Sequence, residues 1–390
     1  MSPFGRNPRP VNSMLAQIHS LPSLIREDFG RLEDSARAAL EGPEAREIER
    51  LYLTGCGDSH HAALSAEFAF EVLTGLPTEA LTAMQFARYS SLQLSRVGGH
   101  KCLAVGISVS GEVARTVEAS NLAQEAGAFT VAVTATPGSR LAQCAERTLL
   151  TSVAPIPDPP APTPGIRSYA ASQLGLLALA VRLGEVRGHL GVEEAAVLRR
   201  EIVGMADASE VVISACELRA KALAEEWSDA QEFVFLGSGP NYGTALFSAA
   251  KMLEASGDSA LGQDLEEWAH LQYFARTVAT PTFVITAGER DLTRAVEVTV
   301  AAGTIGRRVA AVCPPSDVGV VGAAARLLPL PNGVREVFSP VIAAIPGELF
   351  AAYRAELLGE PYFRAFDGGR SLVEGGGISR IRSSEMWGKQ

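Results

Sequence analysis

Short apolar runs alternate with stretches of helical period along most of this chain. Runs at 50–55, 102–107, 129–134 and 146–152 read as strands, while 112–127 and 168–186 repeat their apolar residues at the spacing of a helix with one buried face. A second series follows, with strands near 232–237, 283–287 and 308–313 and helices near 241–256 and 290–303. Strands alternating with helices predict parallel crossovers, hence an α/β fold. An amphipathic region at about 12–45 precedes the first strand and is expected to pack across both series.

One phrase occurs twice. Residues 51–66, LYLTGCGDSHHAALSA, return as residues 234–249, VFLGSGPNYGTALFSA. Each copy is an apolar run, then Gly-x-Gly, then a helix with small residues on one face. Two copies predict two α/β units, each with a glycine turn at the carboxyl end of its first strand, where open α/β sheets hold ligands. The expected organisation is an N-terminal helical segment (1–45), a first unit (46–200), a connecting helix (201–230), a second unit (231–345), and a C-terminal helix with a Gly-rich tail (346–390). The Pro-rich stretch 154–164 falls between a strand and a helix of the first unit. It is read as a stiff loop over that unit's cleft, and the Gly-rich segment 367–379 as a closing strap.

Composition narrows the partners. In 390 residues, 47% are apolar and 20% charged, as in an ordinary globular chain, and the net charge of -10 disfavours nucleic acid or an anionic membrane. There is no apolar run of transmembrane length and no signal-peptide core at the start. Five scattered cysteines without C-x-x-C and six histidines without ligand spacing fit a reducing cytoplasm, with no disulfide framework and no metal site.

The sharpest local signal is Ser108-Val109-Ser110-Gly111-Glu112, directly after the apolar strand LAVGI. Hydroxyls and backbone N–H groups at a helix N-terminus suit a phosphate. No Walker lysine follows, which disfavours a nucleoside triphosphate. The same residues also fit a plain N-cap with a strand-end hydroxyl.

GCGDS (55–59), SVSGE (108–112) and TATPGSRLA (134–142) resemble the first sugar isomerase (SIS) domain of the double-SIS family, which includes the isomerase half of glucosamine-6-phosphate synthase. The resemblance covers about residues 30–350. It implies two SIS domains, each a parallel sheet flanked by helices in a flavodoxin-like three-layer α/β/α arrangement. The family's N-terminal glutaminase has no counterpart, so the glutamine-dependent synthase itself is not expected. Carried over by position, Ser108, Ser110 and Gly111 hold phosphate, Cys56, Gly57, Asp58 and Ser59 line the sugar, and Arg167 and Ser168 touch it from a following helix. Val109 and Val113 depart from the pattern, and Arg115, Thr116 or Arg167 are the candidates to compensate.

In the second unit, Lys251 and Glu254 stand three apart in SAAKMLEASG, and His270 follows sixteen residues after Glu254 in LEEWAHLQYF. Alone, such a Lys/Glu pair reads as a solvated helix face. The resemblance implies instead a lysine and a catalytic glutamate, and a histidine that completes a neighbour's site in a homodimer. A carboxylate that shuttles a proton between C1 and C2 and a histidine that opens the ring suffice for aldose–ketose isomerisation through a cis-enediol. No cofactor is called for. The tail, PYFRAFDGGRSLVEGGGISRIRS (361–383), lacks a placeable counterpart of the family's C-terminal lysine. Arg364 is the candidate for the family's arginine, and Arg370 or Arg380 for the missing position.

The expected function is therefore a sugar-phosphate isomerase. An amino sugar 6-phosphate deaminase or fructosamine-type deglycase uses the same enediol logic, and a non-catalytic sugar-phosphate sensor is the third reading. A dinucleotide-binding oxidoreductase would need the full G-x-G-x-x-G, which neither glycine turn completes.

Overall fold

The computed structural model describes residues 12–97, 101–154, 156, 162–287, 290–368 and 384–387. Most of the Pro-rich stretch and nearly all of the Gly-rich tail segment, with Arg370 and Arg380, lie outside the described residues.

Two five-stranded sheets, all parallel, form the two units. The first contains β1 (Arg50–Gly55), β2 (Thr78–Thr82), β3 (Cys102–Ile107), β4 (Phe129–Thr134) and β5 (Arg147–Leu150), in the order β2-β1-β3-β4-β5. The second contains β6 (Glu232–Gly237), β7 (Ser259–Asp264), β8 (Pro281–Ile285), β9 (Arg308–Cys313) and β10 (Arg326–Pro329). Its order, β10-β9-β8-β6-β7, is the same topology read from the other edge. This is the doubly wound order whose ligand crevice opens beside the first strand, where the winding changes direction.

The central strands are apolar on both faces, because helices cover both: β3 and β4 are buried throughout. The edge strand β5 buries only Leu149 fully. The N-terminal region forms helices Ser13–His19 and Leu21–Ala39, whose apolar stripe (Leu21, Leu24, Ile25, Phe29, Leu32, Ala36) is buried. The longest helix, Val192–Glu226, joins the units. The helices that follow the two glycine turns, Asp58–Thr74 and Pro240–Ala255, pack on each other. At Gly243 a Cβ would run into the His61 carbonyl and the Ser65 hydroxyl, so glycine sets how closely the two units approach. Among the described residues, no helix is long and apolar enough to cross a membrane.

Candidate functional site

The repeated phrase folds into two turns of one shape. Gly57 sits at φ 56°, ψ −129°, and Gly239 at φ 53°, ψ −130°, a backbone region open in practice only to glycine. Each turn carries the chain from its strand directly into a helix. In the first unit, Gly55 pairs with Ile107, so the turn at 56–59 and the loop at 108–112 leave the sheet side by side.

That loop is braced from within. Ser108, buried, accepts from the Gly111 N–H at 3.1 Å, and Ser110 Oγ accepts from the Glu112 N–H at 3.2 Å. Gly111 has φ 64°, and a side chain there would strike Ser139. Glu112 accepts from the Arg140 backbone N–H at 3.1 Å, tying the loop to the next crossover. Helix Ala114–Glu125 begins just beyond, so its free N–H groups and dipole face the same crevice. Arg115 is committed to Glu118, Ser384 and the Glu385 carbonyl, and the Thr116 hydroxyl points to Cys56 Sγ at 3.9 Å. Burial pushes the Cys56 thiol up, so it lines the crevice as a neutral group.

The corresponding crevice of the second unit is acidic. Its loop after β8 ends on Asp291, which accepts from Thr286 Oγ1 at 2.8 Å and is pushed up to about 6, first by burial. Glu336 and Asp317 face it. Arg290, which precedes Asp291, pairs with Glu336.

A buried ionic cluster joins the units. Lys251, wholly inaccessible, donates to Asp58 Oδ2 at 2.7 Å and to Glu254 Oε2, and its ammonium lies 4.9 Å from the centre of the Phe247 ring. Asp58 and Glu254 keep 28% and 30% of their side chains exposed, so both remain open to solvent while the lysine does not. Burial works against the ammonium, but the two carboxylates more than offset it. Burial also resists ionisation of Asp58, yet Lys251 and His61 outweigh it and hold the group below its ordinary value. Glu254 goes the other way: burial lifts it, Lys251 opposes, and the Asp58 charge reinforces the rise. His61 Nδ1 stands 3.6 Å from Asp58 Oδ1, and its influence reaches both carboxylates.

The sequence-based candidates divide accordingly. Cys56, Gly57, Asp58, Ser59, Ser108, Ser110 and Gly111 fall on the two adjoining turns of the first unit, with Lys251 and Glu254 against Asp58. The Lys251 ammonium is sealed behind the two carboxylates, so any part it plays toward a sugar passes through them. Arg167 donates to Ser20 Oγ at 2.7 Å and to the Ala154 carbonyl at 3.1 Å, a strut between the N-terminal helices and the loop before its own helix. Ser168 opens the helix Arg167–Val186, its carbonyl accepting from Ser172 Oγ. His270 stands on the short helix Leu265–His270, 64% exposed and paired with Glu266 at 3.0 Å, which in turn holds Arg294. Arg364 lies in a left-handed turn (Phe363 to Phe366, φ 50° to 56°) and caps the carbonyl of Ala255, at the end of the Glu254 helix.

Three groups escaped the sequence reading. His61 was one of six histidines set aside for want of ligand spacing. Tyr169 stacks on Phe247 at 3.5 Å and bonds Ser65 at 3.4 Å. Glu348, on helix Ile345–Leu358, is buried with Oε2 unpartnered, and burial pushes it up to about 8. A lone acid within IPGELFAAY was its signal.

Residues 45–182 match the SIS domain family. The first unit is a SIS domain. The chain is 29% identical over 353 residues to glutamine–fructose-6-phosphate aminotransferase (isomerizing) of Gloeobacter violaceus, covering 88% of this chain and 55% of that protein. It thus spans about half the length of the curated relatives it matches. The C-terminal domain of glucosamine-fructose-6-phosphate aminotransferase from Francisella tularensis superposes with TM-score 0.79 at 17% identity, covering 92% of this chain and 99% of that one. Glucosamine-6-phosphate deaminase from Thermotoga maritima superposes at 0.66 with 19% identity, covering 89% and 95%. The second unit repeats the strand order of the SIS domain, so the fold is two SIS units of three-layer α/β/α architecture.

Proposed function

We propose that this protein binds a phosphorylated sugar in the crevice of the first SIS unit and catalyses aldose–ketose isomerisation through a cis-enediol. The observation that carries this reading is Glu254: a part-exposed carboxyl, lifted by burial, set against the turn that follows β1. Such a group takes a proton from one carbon and returns it to the next. Phosphate would rest on the Ser108–Glu112 loop and the sugar beside Ser59, within reach of Glu254. The test is a panel of hexose 6-phosphates, amino sugar 6-phosphates and glycated amine 6-phosphates, followed for both isomer and ammonia. Isomer without ammonia supports the isomerase, and ammonia release would move the assignment to a deaminase or deglycase. Binding without either product would make the protein a sensor.

Ser108→Ala with Ser110→Ala is expected to weaken sugar-phosphate binding, since each hydrogen bond to a charged group contributes about 1.5–3 kcal/mol. Calorimetric titration reads the loss directly, and unchanged affinity would place the anion elsewhere.

His270 is the proposed ring-opening group, acting in a second copy of the chain. Its loop exposes Leu271 (60%) and Phe274 (75%), apolar surface that a symmetric partner would cover. Mixing the inactive Glu254→Gln and His270→Ala chains should restore part of the activity. No recovery after verified subunit exchange would place both groups in one chain.

A further inference from the structure

We propose that Asp58 is a positioning residue for the shuttle carboxylate: from the first unit it shares the Lys251 ammonium with Glu254, so that the basicity of Glu254 depends on contact between the two units. The inference rests on the reading of Glu254 as the base.

The geometry is specific. Lys251 and Glu254 share one helix of the second unit, three residues apart, and would pair without outside help. A lysine buried against a single glutamate would hold that glutamate firmly ionised, which makes a poor acceptor for a carbon-bound proton. Asp58 changes this by arriving from the other unit with Oδ2 2.7 Å from the same ammonium. One cation then serves two anions. The ammonium is then no longer Glu254's alone, and the neighbouring Asp58 charge adds to burial in lifting the Glu254 carboxyl. The helix crossing at Gly243, where no side chain fits, keeps Asp58 in reach of the lysine.

Other ionisable groups face the cluster: His61 and His60 on the Asp58 helix, Glu348 on Ile345–Leu358, and Tyr169 on Arg167–Val186. His61, Glu348 and Tyr169 all feel the Asp58 charge, so the Asp58→Asn profile is compared with that of Asp58→Glu, which keeps the charge, and with Glu254→Gln, which removes the proposed base.

The experiment is the pH profile of kcat/KM for Asp58→Asn, with Asp58→Glu and Glu254→Gln beside it. It uses whichever panel sugar phosphate the wild type turns over. Asp58→Asn should move the acid limb down by about one unit or more, because Lys251 then pairs with Glu254 alone. It should lower kcat roughly three- to tenfold with KM little changed, and Asp58→Glu should return the limb toward its original place. A raised KM with the limb unmoved would make Asp58 a sugar contact and overturn the inference. Glu254→Gln separates the two claims: full turnover there sinks the base assignment, whereas loss there with no shift in Asp58→Asn sinks only the role of Asp58. Should Asp58→Asn fail to fold, Asp58→Thr carries the same measurement. Should the wild type turn over none of the panel, isotope-edited infrared titration of Glu254 reads the shift directly, and an unmoved carboxyl band overturns the inference.

Discussion

Glu254→Gln is expected to keep sugar-phosphate affinity while turnover falls by about 10²–10⁴-fold. The amide has the shape of the carboxylate and still accepts from Lys251, so the cluster survives, but it cannot take a proton from carbon. Exchange of the C1 or C2 proton with deuterated water should vanish in the same variant. His270→Ala should differ: substrate supplied already open should recover part of its rate, because ring opening precedes the shuttle. The rivals for the base are Glu266 and Glu267, which flank His270. Glu266 is already engaged by Arg294 and His270, and this holds its carboxyl below the ordinary value, the wrong direction for a proton acceptor at neutral pH. Proton exchange retained in Glu254→Gln would promote Glu267.

Much of the fold was legible because the central strands are apolar on both faces and stand out as runs. β1, β3, β4, β6 and β9 lie at the positions the patterning predicts. The strands it passed over are β2, β7 and β10, which sit at or beside sheet edges as TEALT, SALGQD and RLLP. Half-exposed edges carry too few apolar residues to register. β8 begins at Pro281 rather than 283, a tolerated place for proline because a first residue need not donate to the ladder.

The candidate site was legible by halves. The hydroxyl loop and the glycine turns announce themselves locally, since their function rests on backbone shape. The ionic cluster does not: Asp58 and Lys251 are 193 residues apart, and nothing in either segment signals the other. Spacing alone made Lys251 and Glu254 a solvated surface pair, yet the lysine is wholly buried. What reverses that reading is the opposing helix, a tertiary fact. Arg167 shows the same limit from the other side: the strut it forms to Ser20 and Ala154 is a tertiary contact that its own segment does not signal.

The buried lysine leads to the largest expected change in stability. Lys251→Met removes the cation from between two carboxylates that remain in place, and breaking a buried ion pair from one side costs about 3–5 kcal/mol. The 28% and 30% exposure of Asp58 and Glu254 points to the lower end of that range. The loss should depend on pH in a definite sense. In the wild type, Asp58 is held below its ordinary value, so it contributes stability above about pH 4 that is lost as the pH falls. In Lys251→Met both carboxylates are lifted instead, favouring the protonated forms. The variant is then closest to the wild type near pH 4, and the gap widens toward pH 7. Urea midpoints measured at both pH values provide the test. The double variant Lys251→Met with Asp58→Asn should regain part of the loss at neutral pH, because it leaves one buried carboxylate rather than two adjacent ones. A deficit that stays constant between pH 4 and pH 7 would mean that Lys251 supports the fold through packing on Phe247 and not through charge.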